Sequence, residues 1–142
     1  MARCSLTRHS WAILSTFLAI GRGAVADDPA RSSHADRVDF NRQVRAVLSD
    51  KCFHCHGPDP KNRKAGLRLD TKEGAFEETQ SGLRAVVPGD LEESELIARI
   101  TSEDENDRMP PKSLGRDLTP AEVDVLRRWV DRGAEWKDHW AF

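Results

Sequence analysis

The sequence predicts a small all-α fold, and three observations carry that prediction. Phe40, Val44, Val47 and Leu48 recur at i, i+4, i+7 and i+8, the stripe of an amphipathic helix. Two later stretches open with helix-capping residues, Asp90 with Glu93 and Thr119 with Glu122. Apart from the short Gly66 to Asp70 run, no stretch alternates apolar and polar residues as a half-buried strand would. At 142 residues the chain is long enough for one domain, assigned here to residues 38–142.

Residues 1–26 read as a secretory signal peptide. Arg3, Arg8 and His9 make a basic start, Trp11 to Ile20 is a short, largely apolar run, and Ala24-Val25-Ala26 supplies the small-residue cleavage site. The apolar run is about half the ~20 residues that a spanning helix needs. A membrane association is therefore expected only if this segment is retained as an anchor. Cleavage removes Cys4 and three arginines, and the formal charge moves from −2 to −5. Such a chain lacks the basic excess of a nucleic-acid binder. Asp27 to Arg37 is polar and reads as a disordered lead or tether.

Asp39 caps a helix expected from Phe40 to about Asp50. Gly57 to Ala65 is a turn-rich loop. Gly66 to Asp70 is extended in character, with Leu67 and Leu69 pointing the same way, and Thr71 to Glu78 suits a short helix interrupted by Gly74. Asp90 and Glu93 start a helix whose stripe is Leu96, Ile97 and Ile100 and whose end falls near Thr101. The last helix is capped by Thr119, takes Pro120 at its first position, and runs through Val123, Leu126, Trp129 and Val130 to a stop at Gly133. Leu118 is placed to staple onto Val123, and Trp136, His139, Trp140 and Phe142 form an aromatic tail.

The chemistry sits between the first helix and the first loop, in Cys52-Phe53-His54-Cys55-His56. This is the spacing of a c-type haem attachment site. Two thiols on adjacent turns of a short helix reach the two vinyl groups of one porphyrin, and the histidine that follows is held beneath the iron. A zinc site would need a second Cys/His pair, and His34 and His139 are isolated. A thioredoxin-like pair would need a strand before the first cysteine, where the chain has helical periodicity. A structural disulfide would leave His56 without a purpose. One covalent haem c is the expected cofactor, with Cys52 and Cys55 as its attachment points and His56 as proximal ligand.

Met109 is the methionine that remains after cleavage and the candidate for the opposite face of the iron. Pro110 and Pro111 behind it fix φ and favour a stiff, extended presentation of the thioether. His139 is the reserve ligand, and an open site is the other alternative. Lys61, Arg63, Lys64 and Arg68 follow the haem motif either as a solvated loop or as a partner-docking collar. Arg68 is in addition a candidate propionate contact through a paired hydrogen bond.

The chain also resembles a known family, the planctomycete-type cytochrome c domain. The resemblance rests on Cys52 to Gly57, Gly66 to Asp70, Val87-Pro88-Gly89-Asp90, Ser94-Glu95-Leu96, Met109-Pro110-Pro111, Trp129 with Gly133-Ala134, and His139-Trp140-Ala141-Phe142. It implies a class I-like cytochrome c fold wrapped around the haem, and an exported, periplasmic or otherwise extracytoplasmic protein. Family members usually continue past the His-Trp-Ala-Phe segment, so a front end of a larger multidomain protein is an alternative to a stand-alone carrier.

The expected function is single-electron transfer by a mono-haem cytochrome with a redox protein as partner. No nucleophile or acid–base constellation suggests a small-molecule substrate, so an enzyme is not expected. A haem-based sensor with an open sixth site and a thiol–disulfide oxidoreductase with free cysteines are the readings from other classes.

Overall fold

The computed structural model describes residues 37–79 and 81–138. The signal segment 1–26, most of the polar lead, His139, Trp140 and Phe142 lie outside the described residues. Within them the chain is helix-rich and has no strand, only the isolated bridges Glu78–Arg84 and Val87–Asp90. No helix among the described residues is long and apolar enough to cross a membrane.

The first helix starts where the stripe and Asp39 place it. Asp39 Oδ1 accepts from the Arg42 amide at 3.1 Å, and Gln43 Oε1 reaches back to the Asp39 amide at 2.9 Å. The expected single helix is in fact two pieces. A π-helical turn, Phe40–Val44, leads into α1, Arg45–Lys51. Both pieces keep one buried face, made of Phe40, Val44, Val47 and Leu48. A short helix α2, Phe53–His56, continues from α1 with only Cys52 between them.

Gly57 ends α2 for a steric reason. A Cβ at this position would stand 2.2 Å from the carbonyl oxygen of Phe53, so only glycine lets the chain turn back here. The loop then returns to the haem motif through two backbone bonds. The Lys64 amide donates to the Cys55 carbonyl at 2.8 Å, and the Leu69 amide donates to the His56 carbonyl at 2.8 Å. These satisfy carbonyls that a helix end leaves without partners. Leu67 and Leu69 do share one environment, although the segment is bent and not a strand.

Helix α3, Lys72–Phe76, is capped by Thr71 and contains Gly74 without interruption. Gly74 is a point of close approach: a Cβ there would lie 2.6 Å from the carbonyl oxygen of Arg68. Helix α4, Glu95–Thr101, ends as expected but starts late. Asp90 does cap amides, those of Glu92 at 2.9 Å and Glu93 at 3.0 Å. That turn does not propagate, because the wholly buried Ser94 hydroxyl bonds to Val87 and Asp90 and ties the chain into a tight loop first. Helix α5, Pro120–Asp131, carries the full capping box at Thr119 and Glu122, and Gly133 stops it at a φ of 91°.

The core forms where α5 crosses the start of the first helix. Leu126, Trp129 and Val130 are buried against Phe40 and Val44, with the Phe40 and Trp129 ring centroids 5.7 Å apart. Trp136 closes over Phe40 at 4.4 Å, and Phe76 joins from α3. The Arg45 guanidinium lies over both Phe40 and Trp136 and donates to the Lys137 carbonyl, strapping residues 134–138 to the first helix. Leu118 and Val123 are both partly buried against this core, where a hydrophobic staple would place them.

Candidate functional site

On the other side of α1 and α4 the interior is hollow. A cavity of about 800 Å³ is bounded by Cys52, Cys55 and His56 at the haem motif. Leu67, Leu69, Leu83, Ala85, Leu96 and Ile100 supply the apolar lining, and Met109, Pro110 and Pro111 come from the loop after α4. The size lies within the range of small-molecule and cofactor sites, and the lining is apolar with few polar groups, as such sites require. Residues 53 positions apart in the chain, His56 and Met109, thus face one space.

Both cysteines of the motif are free thiols and half-buried. Burial, with the Asp50 carboxylate adding to it, pushes the Cys52 thiol up to about 12. A thiolate is therefore scarce at neutral pH, the opposite of what a dithiol redox centre needs. Burial lowers the His56 pKa below its ordinary value, with the Lys64 backbone working against the shift. The ring is neutral at pH 7, the form that ligates a metal. Its Nδ1 is buried without a hydrogen-bond partner, an exception to the rule that buried polar atoms are satisfied. Among the described residues no group of three or more His, Cys, Asp or Glu is arranged to hold a bare metal ion.

The family model described as Planctomycete cytochrome C matches residues 52–113, from the first cysteine of the motif to just past Met109-Pro110-Pro111. Over that stretch the chain is similar to the family, which supports a planctomycete-type cytochrome c domain there. No curated protein and no solved structure matches the chain. The matched stretch contributes the motif, the returning loop, α4 and the Met109 segment, which is nearly the whole wall of the cavity. The cytochrome c domain implies a haem-binding electron-transfer module, and the pair of free thiols, the neighbouring His56 imidazole and the apolar cavity fit a haem c.

Arg68 does not line that cavity. Its Nε and Nη2 are held by the two carboxylate oxygens of Asp70, the first at 3.1 Å. Burial pushes the Asp70 carboxyl up, but the Arg68 hydrogen bonds outweigh it and hold Asp70 below its ordinary pKa. The paired hydrogen bond expected of Arg68 is thus made within the chain, two residues away. Arg63 is also engaged, donating to the Gly57 and Pro58 carbonyls at 3.1 and 2.8 Å. Of the four cations after the motif, Lys64 is the one that reaches the cavity wall.

The Met109 segment bends where an extended run is expected, and the Met109–Pro110 peptide is cis. Met109 is half-buried and Pro110 fully so. Glu95 and Arg99 of α4 also line the cavity, and sequence reading passed over both. Their i, i+4 spacing was the available signal. They pair at 2.7 Å.

Proposed function

We propose that this chain is an exported mono-haem c-type cytochrome that passes single electrons to and from a redox protein. The observation supporting it is the convergence of Cys52, Cys55, His56 and Met109 on one apolar cavity. In this reading Cys52 and Cys55 hold the porphyrin as thioethers, His56 is the proximal ligand and Met109 the distal one. Haem c, once bound, supplies the Fe(II)/Fe(III) couple.

The residues around it do the rest. Leu67, Leu69, Leu96 and Ile100 exclude water from the cavity and keep its dielectric low, a lever on reduction potential. The Leu69–His56 and Lys64–Cys55 backbone bonds fix the motif against the loop, so the proximal side is held rigidly. The signal-like segment 1–26 supports export to the periplasm or another extracytoplasmic space, and the domain itself is proposed to stand free of the membrane.

Expression with a cytochrome c maturation system tests this. Haem should survive denaturation and acid–organic extraction, and the ferric protein should be low-spin with the weak long-wavelength band of sulfur-to-iron bonding. Met109→Ala should remove that band and admit carbon monoxide. A wild-type protein that is already high-spin and binds carbon monoxide readily would make the sensor the better reading. Haem that extracts freely would sink covalent attachment altogether.

A further inference from the structure

We propose that Arg99 is a positioning residue for Met109, clamping the distal-ligand segment to α4. The inference rests on reading Met109 as the distal ligand. Met109 lies in a long, charged loop, and a thioether is a weak ligand that stays on iron only if its backbone is held in place. The amide of Met109 donates to the carbonyl of Arg99 at 3.1 Å, in the last turn of α4. The Arg99 side chain reaches the same segment a second time. Its Nη1 approaches the Asp107 carbonyl at 3.3 Å and the Asp107 carboxylate at 3.4 Å, two residues before Met109.

The guanidinium is itself oriented. Glu95, one turn earlier on α4, accepts from Arg99 Nε at 2.7 Å, so the planar fork is steered before it meets the loop. After Met109 the buried Pro110 fixes the chain on the other side. Met109 is thereby bracketed, by a bond network to α4 on its N-terminal side and by a buried ring on its C-terminal side. Arg99 is half-buried, so the network is screened and contributes little to global stability. Its effect is local, on how often the segment lifts from the cavity.

The test uses the holo-protein and Arg99→Met, which keeps a long apolar stem on the cavity wall and leaves the Arg99 carbonyl in place. Three readouts are taken: the sulfur-to-iron band, carbon monoxide binding to the ferrous protein, and amide exchange of the segment around Met109. The expected result is a weakened band, carbon monoxide binding faster by about two- to fivefold, the scale of one screened ion pair, and faster exchange at Met109 with an unchanged far-ultraviolet spectrum. Asp107→Ala, at an exposed loop position, removes the carboxylate half of the bridge and leaves the Asp107 carbonyl, so it should act in the same direction but more weakly even if Arg99→Met folds poorly. A wild-type band that persists unchanged in both variants, with unchanged exchange, would overturn the clamp while leaving Met109 as ligand. A wild-type protein lacking the band would overturn the ligand assignment, and the clamp's role with it.

Discussion

The two sides of this small domain are built on opposite plans. On one side Phe40, Trp129, Trp136 and Phe76 stack at centroid distances of 4.4 to 6.5 Å, and Val44, Leu126 and Val130 are wholly buried between them. On the other, apolar side chains of equal quality surround about 800 Å³ of space. Protein interiors pack to crystal-like density, and voids of this size do not persist in a self-sufficient core. The same helices serve both sides. Helix α4 buries Ile97 in the filled half and sets Leu96 and Ile100 on the cavity wall. The chain fills one half of its interior with its own side chains and lines the other with a cavity of cofactor size. Covalent tethering suits that plan, because a half-built wall cannot retain a haem by burial alone.

That contrast predicts different responses to the same kind of substitution. Trp129 is 3 % exposed, sits between Phe40, Phe76 and Trp136, and donates its indole N–H to the Glu135 carbonyl at 3.0 Å. Trp129→Ala should destabilise the protein by about 3–5 kcal/mol, with or without haem, because its contacts lie away from the cavity lining. Denaturant melts of the two forms measure this, and a loss confined to the holo-protein would show that the aromatic cluster depends on the cofactor.

Leucines sharpen the comparison. Leu126 is packed on all sides, whereas Leu96 has one face on the cavity. Leu126→Ala should cost about 2–5 kcal/mol in either form. Leu96→Ala should cost markedly less in the haem-free protein, where its cavity face has no partner atoms to lose, and should approach Leu126→Ala once haem is attached. Equal costs at both positions in the haem-free protein would mean that the hollow side collapses without its cofactor.

How much of this was readable beforehand follows the same division. Features written into adjacent residues were legible: the Asp39 cap, the Thr119–Glu122 box, the Gly133 stop and the haem motif itself each lie within a few positions. The convergence of Cys52, Cys55, His56 and Met109 was legible from ligand chemistry. What was missed depends on contacts between segments. The start of α4 shifted from Asp90 to Ser94 because a buried hydroxyl reaches back seven residues to Val87. Arg68 was read as a solvated-loop cation or a candidate propionate contact, and only the fold shows its fork closed on Asp70. Gly74 looked like a helix break, and its reason, the Arg68 backbone pressed against it, is a tertiary one. Arg99 drew no attention because its partner Asp107 lies in a loop without a pattern.

The smallest effect concerns the group that touches both halves. Glu122 closes the cap of α5 by accepting from the Thr119 amide at 2.7 Å, and it stands 3.7 Å from the Lys51 ammonium on the cavity wall. Chiefly through the bond from the Thr119 backbone, its pKa is held below the ordinary 4.5. The unfolded chain therefore binds this proton at a higher pH than the folded one does. Below about pH 4.5 the unfolded state gains protons first, so the cap's contribution is present above that pH and is lost as pH falls through the folded-state value. Glutamine can still accept the Thr119 amide but does not titrate, so Glu122→Gln should cost at most about 1 kcal/mol at pH 7. It should also flatten the stability profile on the acid side of pH 4.5. Because Lys51 precedes Cys52, the comparison of haem-free and holo-protein tells which half the cap serves. An equal loss in both assigns Glu122 to the filled half, and a loss larger in the holo-protein assigns part of its effect to the cavity wall.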